Sequence, residues 1–427
     1  MSIAEIHKLF LASEGLTTDT RNLIPKGVFL ALKGANFNGN EYALKAIEEG
    51  CLFAIVDEEK YAVNEKLILV DDCLKTLQDL ANFHRKQFDI PVIGITGSNG
   101  KTTTKELIGA VLSSKYNTLV TQGNLNNHLG VPFTLLQLNQ SHEIAIVEMG
   151  ANKPFDIKEL VDIAEPTHGV ITNIGAAHLE GFGSIQGVIN TKKELYDYIE
   201  KSKGHLFYNA ADEILKSILP AGLTYSSYNN NDAEVSGVLV AQDPFVQFKW
   251  THNAYTSGVL KTQLVGQYNF INFLSAIAIG VYFKVTNEAI NKAIEHYQPT
   301  NNRSQILRTE RNTLIVDCYN ANVTSMQAAL ESFILMDAPH KLVVLGDMKE
   351  LGITSLDEHE KLVRFVKRNK LNAILIGSEF EKVKGELKHF NSAQELLEAD
   401  LVDDLKDTLV LLKGSRSIRL ESLIPSF

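Results

Sequence analysis

The sequence predicts an α/β protein with three domains, and three observations favour this fold class. The chain has 427 residues, which is too long for a single hydrophobic core. Short apolar runs alternate with helix-length segments, a pattern typical of parallel sheets covered by helices. Glycines and polar residues directly follow several of these runs, at the sheet edge where open α/β folds bind ligands.

Composition narrows the class of protein. Hydrophobic residues make up 44% and charged residues 22%, as in ordinary soluble domains, and the formal charge of -10 argues against a nucleic-acid surface. Three scattered cysteines form neither a disulfide framework nor a zinc cluster. The first residues lack a signal-peptide core, and no apolar run is long enough to span a bilayer. We expect a cytoplasmic monomer without membrane insertion.

The first predicted domain, residues 1–88, is a small α/β unit. Its strands are predicted at "VFLALKG", "LFAIVD" and "LILVDD", with a helix at "EYALKAIEEG".

The second predicted domain, residues 89–298, contains a doubly wound parallel sheet. Strands are predicted at "VIGIT", "IAIVEMG" and "GVITNIG". Residues 233–266 change to period-two alternation, as in "FVQFKW", which indicates an antiparallel appendage. The helix "NFINFLSAIAIGVYF" closes the domain.

The third predicted domain, residues 299–427, is a second parallel, Rossmann-like unit. Strands are predicted at "TLIVDC", "KLVVLGD", "NAILIG" and "TLVLLKG", and polar side chains such as Asp317 and Asp347 stand at strand ends.

The stretch "GITGSNGKTTTKE" resembles a phosphate-binding loop, although the usual pattern has a glycine where Ile95 stands. Gly97 and Gly100 let backbone N–H groups approach phosphate oxygens at the start of a helix. Lys101 adds a cation, and the Thr102 hydroxyl can bind Mg²⁺. The alternative is a glycine turn entering a helix. A strand before, a helix after and the Lys-Thr-Thr run favour nucleotide binding.

Two further residues follow predicted strands. Glu148 ends "IAIVE", where an acidic residue can bind a metal ion, although an ordinary strand-end glutamate is the alternative. His178 lies in "NIGAAHLEGFGS", and its loop should face the same crevice. A lone histidine is usually structural, and we interpret His168 in that way.

Two pairs of residues remain ambiguous on spacing alone. Lys192 and Lys193 are adjacent on a predicted helix, which is common on a solvated face. Asn269 and Asn272 are three residues apart and share a helical face, so they either contact an adenine edge or act as capping or buried amides.

Together these motifs resemble the Mur ligases, ATP-dependent enzymes that form amide bonds in peptidoglycan synthesis. "TDTRNLIPKGVFLALKGANFNGNEY", "GSNGKTTTKE", "EMGAN", "NIGAAHLEGFGS", "DCYNAN", "GDMKELG" and "GSRSIRLE" follow the family order. The resemblance covers essentially the whole chain. It is greatest to the member that joins D-Ala-D-Ala to UDP-MurNAc-tripeptide, so the resemblance implies these two partners and ATP.

The resemblance implies a role for each domain and for named residues. The first domain would bind the UDP substrate, the second would carry the ATPase site, and the third would close over ATP and bind the dipeptide. The UDP-binding positions are Thr20, Arg21, Lys33, Gly34, Asn38 and Gly39. The ATP-binding positions are Gly97, Ser98, Asn99, Gly100, Lys101, Thr102, Thr103, Asn269, Asn272, Arg303, Asp317, Asn320 and Asn322.

The resemblance also implies the catalytic and metal-binding residues, which are Lys101, Glu148, His178 and Lys192. Lys192 would carry a CO₂-derived carbamate. Thr102 and Glu148 would bind one Mg²⁺, and His178, Glu148 and the carbamate would bind a second.

Two motifs depart from the family pattern. Val323 follows "YNAN" where proline is usual, and Phe155-Asp156 replace an expected Gly-Glu pair after "EMGAN". Three alternatives remain at this point. They are a family member that adds a single amino acid, folylpolyglutamate synthase, which lacks such a first domain, and an ATPase that ligates nothing.

Overall fold

The computed structural model describes all residues, Met1–Phe427, and confirms the α/β class. None of the helices has the combination of length and apolar character that a membrane-spanning helix needs. The fold contains two small sheets in the first region, two sheets in the central region and one in the C-terminal region.

The first region forms a parallel four-stranded sheet in the order β1-β2-β5-β6 and a separate β3–β4 hairpin. The predicted run "VFLALKG" is therefore split between two sheets. The strands are β1 Leu16–Thr17, β2 Val28–Leu30, β3 Lys33–Gly34, β4 Phe37–Asn38, β5 Phe53–Val56 and β6 Leu67–Leu69. The helices are α1 Ile3–Leu11, α2 Ala43–Glu48 and α3 Cys73–Arg85.

The central sheet has six parallel strands in the order β12-β11-β10-β7-β9-β8. The chain fills one side of β7 and then the other, so the sheet order reverses at β7, where such folds bind ligands. The strands are β7 Val92–Thr96, β8 Thr118–Val120, β9 Ile144–Glu148, β10 His168–Ile171, β11 His205–Asn209 and β12 Thr224–Tyr228.

Helices cover both faces of the central sheet. They are α4 Lys101–Ser113, α5 Gly130–Leu135, α6 Asp156–Ala164, α7 Leu179–Phe182, α8 Ile185–Ser202, α9 Glu213–Ser217, α10 Asn269–Tyr282 and α11 Asn287–His296. The predicted appendage is an antiparallel sheet of β13 Ser236–Ala241, β14 Phe245–His252, β15 Tyr255–Thr256 and β16 Leu260–Val265.

The C-terminal sheet has the order β17-β18-β22-β19-β20-β21. The four predicted strands, β18, β19, β20 and β22, are parallel. The sheet also has two strands that were not predicted: β21, which is parallel to β20, and β17, which pairs antiparallel with β18 through a short turn. The strands are β17 Gln305–Arg308, β18 Thr313–Asp317, β19 His340–Gly346, β20 Ala373–Ile376, β21 Lys388–Phe390 and β22 Thr408–Lys413. The helices are α12 Val323–Leu335, α13 Ser355–Arg368, α14 Ser378–Glu381 and α15 Ala393–Glu398.

Packing does not break at the predicted boundary after Phe88. One hydrophobic core runs from the first region into one face of the central sheet, and it includes Phe88 itself. Helix α3 packs on α5 and α6, where Gln78 Nε2 donates to Glu159 Oε1 at 2.7 Å. The first region is therefore fixed against the central sheet.

Candidate active site

The loop between β7 and α4 has the geometry expected of a phosphate-binding loop. Gly97 has a φ of 150°, and a Cβ there would lie 1.9 Å from Thr172 Oγ1. Gly100 has a φ of 77°, and its Cβ would lie 2.8 Å from Asn272 Oδ1. Both positions therefore require glycine. Ile95 is fully buried inside β7, so the glycine missing there is part of the strand and not of the loop.

Residues that follow β10 hold this loop in place. The hydroxyl of Thr172 donates to the Asn99 carbonyl at 2.6 Å, and Asn173 Oδ1 accepts from the Asn99 N–H at 3.0 Å. The Ser98 hydroxyl donates to the Gly175 carbonyl at 3.0 Å. These bonds shape the loop before any phosphate contacts it, which is preorganisation of an anion site.

Lys101 begins α4 and lies at the centre of the site. Its Nζ donates to the Gly97 carbonyl at 2.7 Å. Burial lowers the pKa of Lys101, and the nearby Glu148 carboxylate partly opposes that shift. The lysine therefore lies inside the loop that is predicted to bind phosphate.

Glu148, at the end of β9, is only 1% exposed. Its Oε1 accepts from Asn126 Nδ2 at 2.7 Å and from the Thr102 hydroxyl at 3.2 Å. Its Oε2 is buried without a hydrogen-bond donor, and Lys105 Nζ lies 3.7 Å away. A carboxylate oxygen with free lone pairs beside a threonine hydroxyl fits a hard cation such as Mg²⁺. The side chains of Thr102 and Glu148 are thus close together, and a shared Mg²⁺ between them stays a prediction.

His178 lines the same cavity but has a different partner from the one expected. It precedes α7 with a φ of 53°, and its Nδ1 pairs with the Glu350 carboxylate of the C-terminal region. The adjacent His178 ring holds the pKa of Glu350 below its usual value. No group of three or more His, Cys, Asp or Glu side chains is arranged to hold a metal ion. The role of His178 as a metal ligand therefore stays a prediction.

Lys192 is only 2% exposed on α8, whereas Lys193 ion-pairs with Asp197 near the surface. Burial, with a smaller contribution from Lys101, lowers the pKa of Lys192 well below its usual value. The Nζ of Lys192 lies 5.8 Å from the centre of the Phe182 ring, and no carboxylate pairs with it. The solvated-face interpretation therefore holds for Lys193 and not for Lys192.

Asn269 and Asn272 both line the cavity, yet their amides are largely used within the protein. Asn269 Nδ2 donates to the Val265 carbonyl at 2.8 Å, and Asn272 Nδ2 donates to Asn269 Oδ1 at 2.8 Å. The Thr104 hydroxyl donates to Asn272 Oδ1 at 3.1 Å. Their buried-amide role is thus visible, and contact with adenine stays a prediction.

The C-terminal region supplies the opposite wall of the cavity. The Arg303 guanidinium lies 3.9 Å from the centre of the Tyr319 ring, and Lys413 Nζ donates to Asp317 Oδ2 at 2.5 Å. Asn322 caps α12 and donates to Asn99 Oδ1 of the phosphate loop at 2.8 Å. This last bond joins the two regions directly across the cavity.

The cavity itself has a volume of about 1010 Å³ and is lined by residues from all three regions. Leu74 comes from the first region. Of the predicted ATP-binding positions only Gly97 is absent from the lining; those present are Ser98, Asn99, Gly100, Lys101, Thr102, Thr103, Asn269, Asn272, Arg303, Asp317, Asn320 and Asn322.

The predicted UDP-binding residues lie outside this cavity. Lys33 lies 3.1 Å from an Asp57 oxygen, and Asn38 Nδ2 donates to Glu58 Oε1 at 3.0 Å, both around the β3–β4 hairpin. Gly39 is buried there, and a Cβ at this position would lie 2.4 Å from the Leu32 carbonyl oxygen, so the position has no room for a side chain. Arg21 pairs with Asp19 on the surface. Any UDP site formed by these residues is therefore separate from the central cavity.

Four further residues of the site were not predicted from the sequence: Asn126, Lys105, Tyr319 and Glu350. The asparagine-rich stretch "GNLNNHLG" could have drawn attention to Asn126, and "TTTKE" could have done so for Lys105. Tyr319 and Glu350 lie within recognised motifs, but their partners are distant in the chain. Long-range packing brings Tyr319 and Glu350 to the site, and the local sequence carries no signal for it.

The two departures from the family pattern occupy defined places. Phe155 has a φ of 70° and is exposed, and its N–H donates to Glu194 Oε1 at 3.1 Å. Asp156 Oδ2 accepts from the Asn152 N–H at 2.8 Å, which shapes the loop after β9. Val323 begins α12 directly after the Asn322 cap.

Comparison with known proteins identifies the family. Residues 95–280 match the Mur ligase middle domain, and residues 302–416 match the Mur ligase, glutamate ligase domain. The chain is 33% identical to the UDP-N-acetylmuramoyl-tripeptide–D-alanyl-D-alanine ligase of Bacillus subtilis, over 99% of this chain and 96% of the relative. It is 31% identical to the Escherichia coli enzyme of the same name, over 98% and 95%.

Solved structures agree with the sequence comparison. A crystal structure of MurF from Acinetobacter baumannii superposes with a TM-score of 0.88 at 29% identity, covering 99% of this chain and 98% of that one. MurF ligase from Thermotoga maritima, in complex with ADP, gives a TM-score of 0.87 at 25% identity, covering 98% and 97%. The chain belongs to the Mur ligase family.

Proposed function

We propose that this protein joins D-alanyl-D-alanine to UDP-N-acetylmuramoyl-tripeptide at the expense of ATP, and so forms the UDP-linked pentapeptide of peptidoglycan synthesis. Full-length similarity to relatives with this named activity supports the substrates. The single structural observation that carries the reaction is the phosphate loop facing the buried Glu148 in a cavity lined by all three regions.

The reaction proceeds in two steps. A carboxylate oxygen of the tripeptide attacks the γ-phosphorus of ATP, and ADP leaves, which gives an acyl phosphate. The amine of the dipeptide then attacks the acyl carbon, and the tetrahedral intermediate expels inorganic phosphate while the nitrogen loses a proton. Activation is needed because a free carboxylate does not acylate an amine at neutral pH.

Several residues of the chain have defined tasks in this scheme. Lys101 offsets negative charge on the transferred phosphoryl group. The loop N–H groups bind phosphate oxygens, and Asn322 brings the C-terminal region against Asn99 of the loop. Thr102 and Glu148 would hold Mg²⁺, which when bound neutralises charge on the phosphate oxygens.

A carbamate on Lys192 is part of the proposal. CO₂ reacts with an unprotonated amine, and the low pKa that burial gives Lys192 favours that form. With His178 and Glu148, the carbamate would supply oxygen and nitrogen ligands for a second Mg²⁺.

The division of labour between regions is likewise proposed. Residues 1–88 would bind the uridine nucleotide through Thr20, Arg21, Lys33, Gly34, Asn38 and Gly39. Residues 89–298 would bind ATP, and residues 299–427 would close over it and bind the dipeptide. A cytoplasmic location is also proposed, since the three cysteines are free thiols and reducing compartments keep them so.

A substrate-omission assay tests this function. Inorganic phosphate should be released only when ATP, UDP-MurNAc-tripeptide and D-Ala-D-Ala are all present, with diaminopimelate- and lysine-containing tripeptides run side by side. Replacing the dipeptide with single amino acids tests the alternative that the protein is a Mur ligase that adds one amino acid. Phosphate release with ATP alone would indicate a simple ATPase and contradict the proposal.

A further inference from the structure

The segment between α11 and β17, residues 297–304, connects the central region to the C-terminal region and is anchored to helix α4. Glu106, one turn beyond Thr102 on α4, accepts from the Tyr297 hydroxyl at 2.5 Å. Both oxygens of Glu106 also accept from Asn301 Nδ2, at 2.8 and 2.9 Å. The Glu106 carboxylate therefore binds the segment at two points, Tyr297 and Asn301, and fixes residues 297–301 against α4.

Glu106 does this from outside the cavity. It is not among the lining residues, and its side chain is about a quarter exposed at 26%. Burial and the adjacent Glu106 carboxylate raise the pKa of Tyr297, so its hydroxyl keeps the proton that it donates. Hydrogen bonds to a charged acceptor are stronger than those between neutral groups.

The second half of the connection places Arg303. Asn302 and Ser304 have φ values of 55° and 51°, so Arg303 stands between two left-handed residues. The Ser304 hydroxyl is 2.7 Å from the Tyr268 hydroxyl, and the backbone N–H of Ser304 donates to Asp317 Oδ1 at 3.3 Å. Non-glycine residues keep such φ values only where their surroundings fix them.

The Arg303 side chain reaches the cavity from this fixed position. Its guanidinium stacks on Tyr319, and its Nε is buried without a hydrogen-bond partner. The position of Arg303 thus depends on two sets of hydrogen bonds: those from Asn301 to Glu106 before it in the chain, and those that Ser304 makes with Tyr268 and Asp317 after it.

We infer that Glu106 is a positioning residue for nucleotide binding. It holds Asn301 and Tyr297 against the phosphate-loop helix, so that Arg303 projects into the cavity that is proposed to bind the nucleotide. This inference rests on the proposed function only in that Arg303 contacts the nucleotide. A purely structural role would affect folding but would not couple Glu106 to Arg303.

The test is a double-mutant cycle on the full-length protein, read as the affinity for a fluorescent ADP analogue. Glu106→Ala and Asn301→Ala should each weaken binding about tenfold, as expected for loss of hydrogen bonds to a charged group. Arg303→Ala should weaken binding at least as much. The double variant Glu106→Ala/Arg303→Ala should bind no more weakly than Arg303→Ala alone.

The control is Glu288→Ala, which removes an exposed glutamate from the neighbouring α11 and should leave ADP affinity unchanged. Additive losses in the double variant would overturn the inference, and so would unchanged affinity in Glu106→Ala. If Glu106→Ala does not fold, the Asn301→Ala/Arg303→Ala cycle decides, because it leaves α4 intact.

This experiment is independent of ligation. ADP affinity is measured without tripeptide or dipeptide, so a failed cycle contradicts the role of Glu106. A failed substrate-omission assay contradicts the proposed function instead.

Discussion

The central and C-terminal sheets each place a buried acid near the carboxyl end of a strand, and the two acids differ in their partners. Asp347 Oδ1 accepts from the Phe380 N–H at 3.0 Å, and Oδ2 accepts from the Glu379 N–H at 3.1 Å and from Lys349 at 3.1 Å. Glu148 Oε2 has no hydrogen-bond donor. Position at a strand end is therefore not enough to identify a site, whereas unused lone pairs on a buried acid do point to one.

Two buried lysines repeat the contrast. Lys413 and Lys192 are each 2% exposed. Lys413 ion-pairs with Asp317, while no carboxylate pairs with Lys192. Asp347 and Lys413 are thus paired within the C-terminal region, whereas in the central region Lys192 has no carboxylate partner and Glu148 Oε2, 3.7 Å from Lys105 Nζ, accepts no hydrogen bond.

The largest expected effect comes from Lys192. Lys192→Ala should abolish turnover, because the amine that would carry the carbamate is gone, and a short carboxylic acid added to the medium should restore part of the rate. The measurement is phosphate release with all three substrates. Lys193→Ala on the same helix is the matched control and should remain active. An unchanged rate for Lys192→Ala would disprove the carbamate.

Substitution of the two acids sharpens the comparison. Glu148→Gln keeps the shape of the side chain but weakens cation binding, so kcat should fall by about two to three orders of magnitude while the fold is kept. Steady-state rates at several Mg²⁺ concentrations, with thermal melts, check this. A variant with normal kcat would show that Glu148 is a structural residue like Asp347.

Asp347→Asn should have the opposite profile. Loss of the charged acceptor for two backbone N–H groups and Lys349 should lower the free energy of unfolding by about 1–3 kcal/mol, with kcat of the folded protein retained. Urea unfolding and steady-state rates together give the answer. A large loss of kcat without a loss of stability would place Asp347 in the active site. It would then no longer hold that Glu148 is catalytic and Asp347 structural.

The sequence predicted those parts of the site that depend on local pattern. Strand periodicity located β7 and β9, and from their positions followed the phosphate-binding loop, residues 97–102, and Glu148. The partners of these groups were not predictable, because Asn126 and Lys105 reach Glu148 only through packing. The pairing of His178 with Glu350 likewise requires the C-terminal region to be docked, and no local signal encodes that contact.

The smallest expected effect concerns His168, which begins β10 at the amino-terminal end of the central sheet's strands, away from the phosphate loop. Burial, with a smaller contribution from His205, lowers the pKa of His168 from 6.5 to about 4. Between these values the unfolded chain binds a proton that the folded chain does not, so the free energy of unfolding should fall as the pH falls from 6.5 towards 4.

Urea unfolding at a series of pH values measures this slope. His168→Phe should make the slope shallower, and the exposed control His340→Gln should leave it as it is. The slope does not vanish, because burial also lowers the pKa of His84 and His205. An equal slope in wild type and His168→Phe would refute the structural role given to His168.

We propose that the site around the phosphate loop and Glu148 activates the carboxylate of the tripeptide by phosphorylating it, and transfer of an oxygen isotope tests this most directly. UDP-MurNAc-tripeptide labelled with ¹⁸O in its terminal carboxylate is incubated with enzyme, ATP and D-Ala-D-Ala. The isotopic composition of the released phosphate is then measured by mass spectrometry. Each phosphate should carry an ¹⁸O atom from the labelled carboxylate. Unlabelled phosphate would show that water, and not the tripeptide, attacks ATP, and would contradict the account.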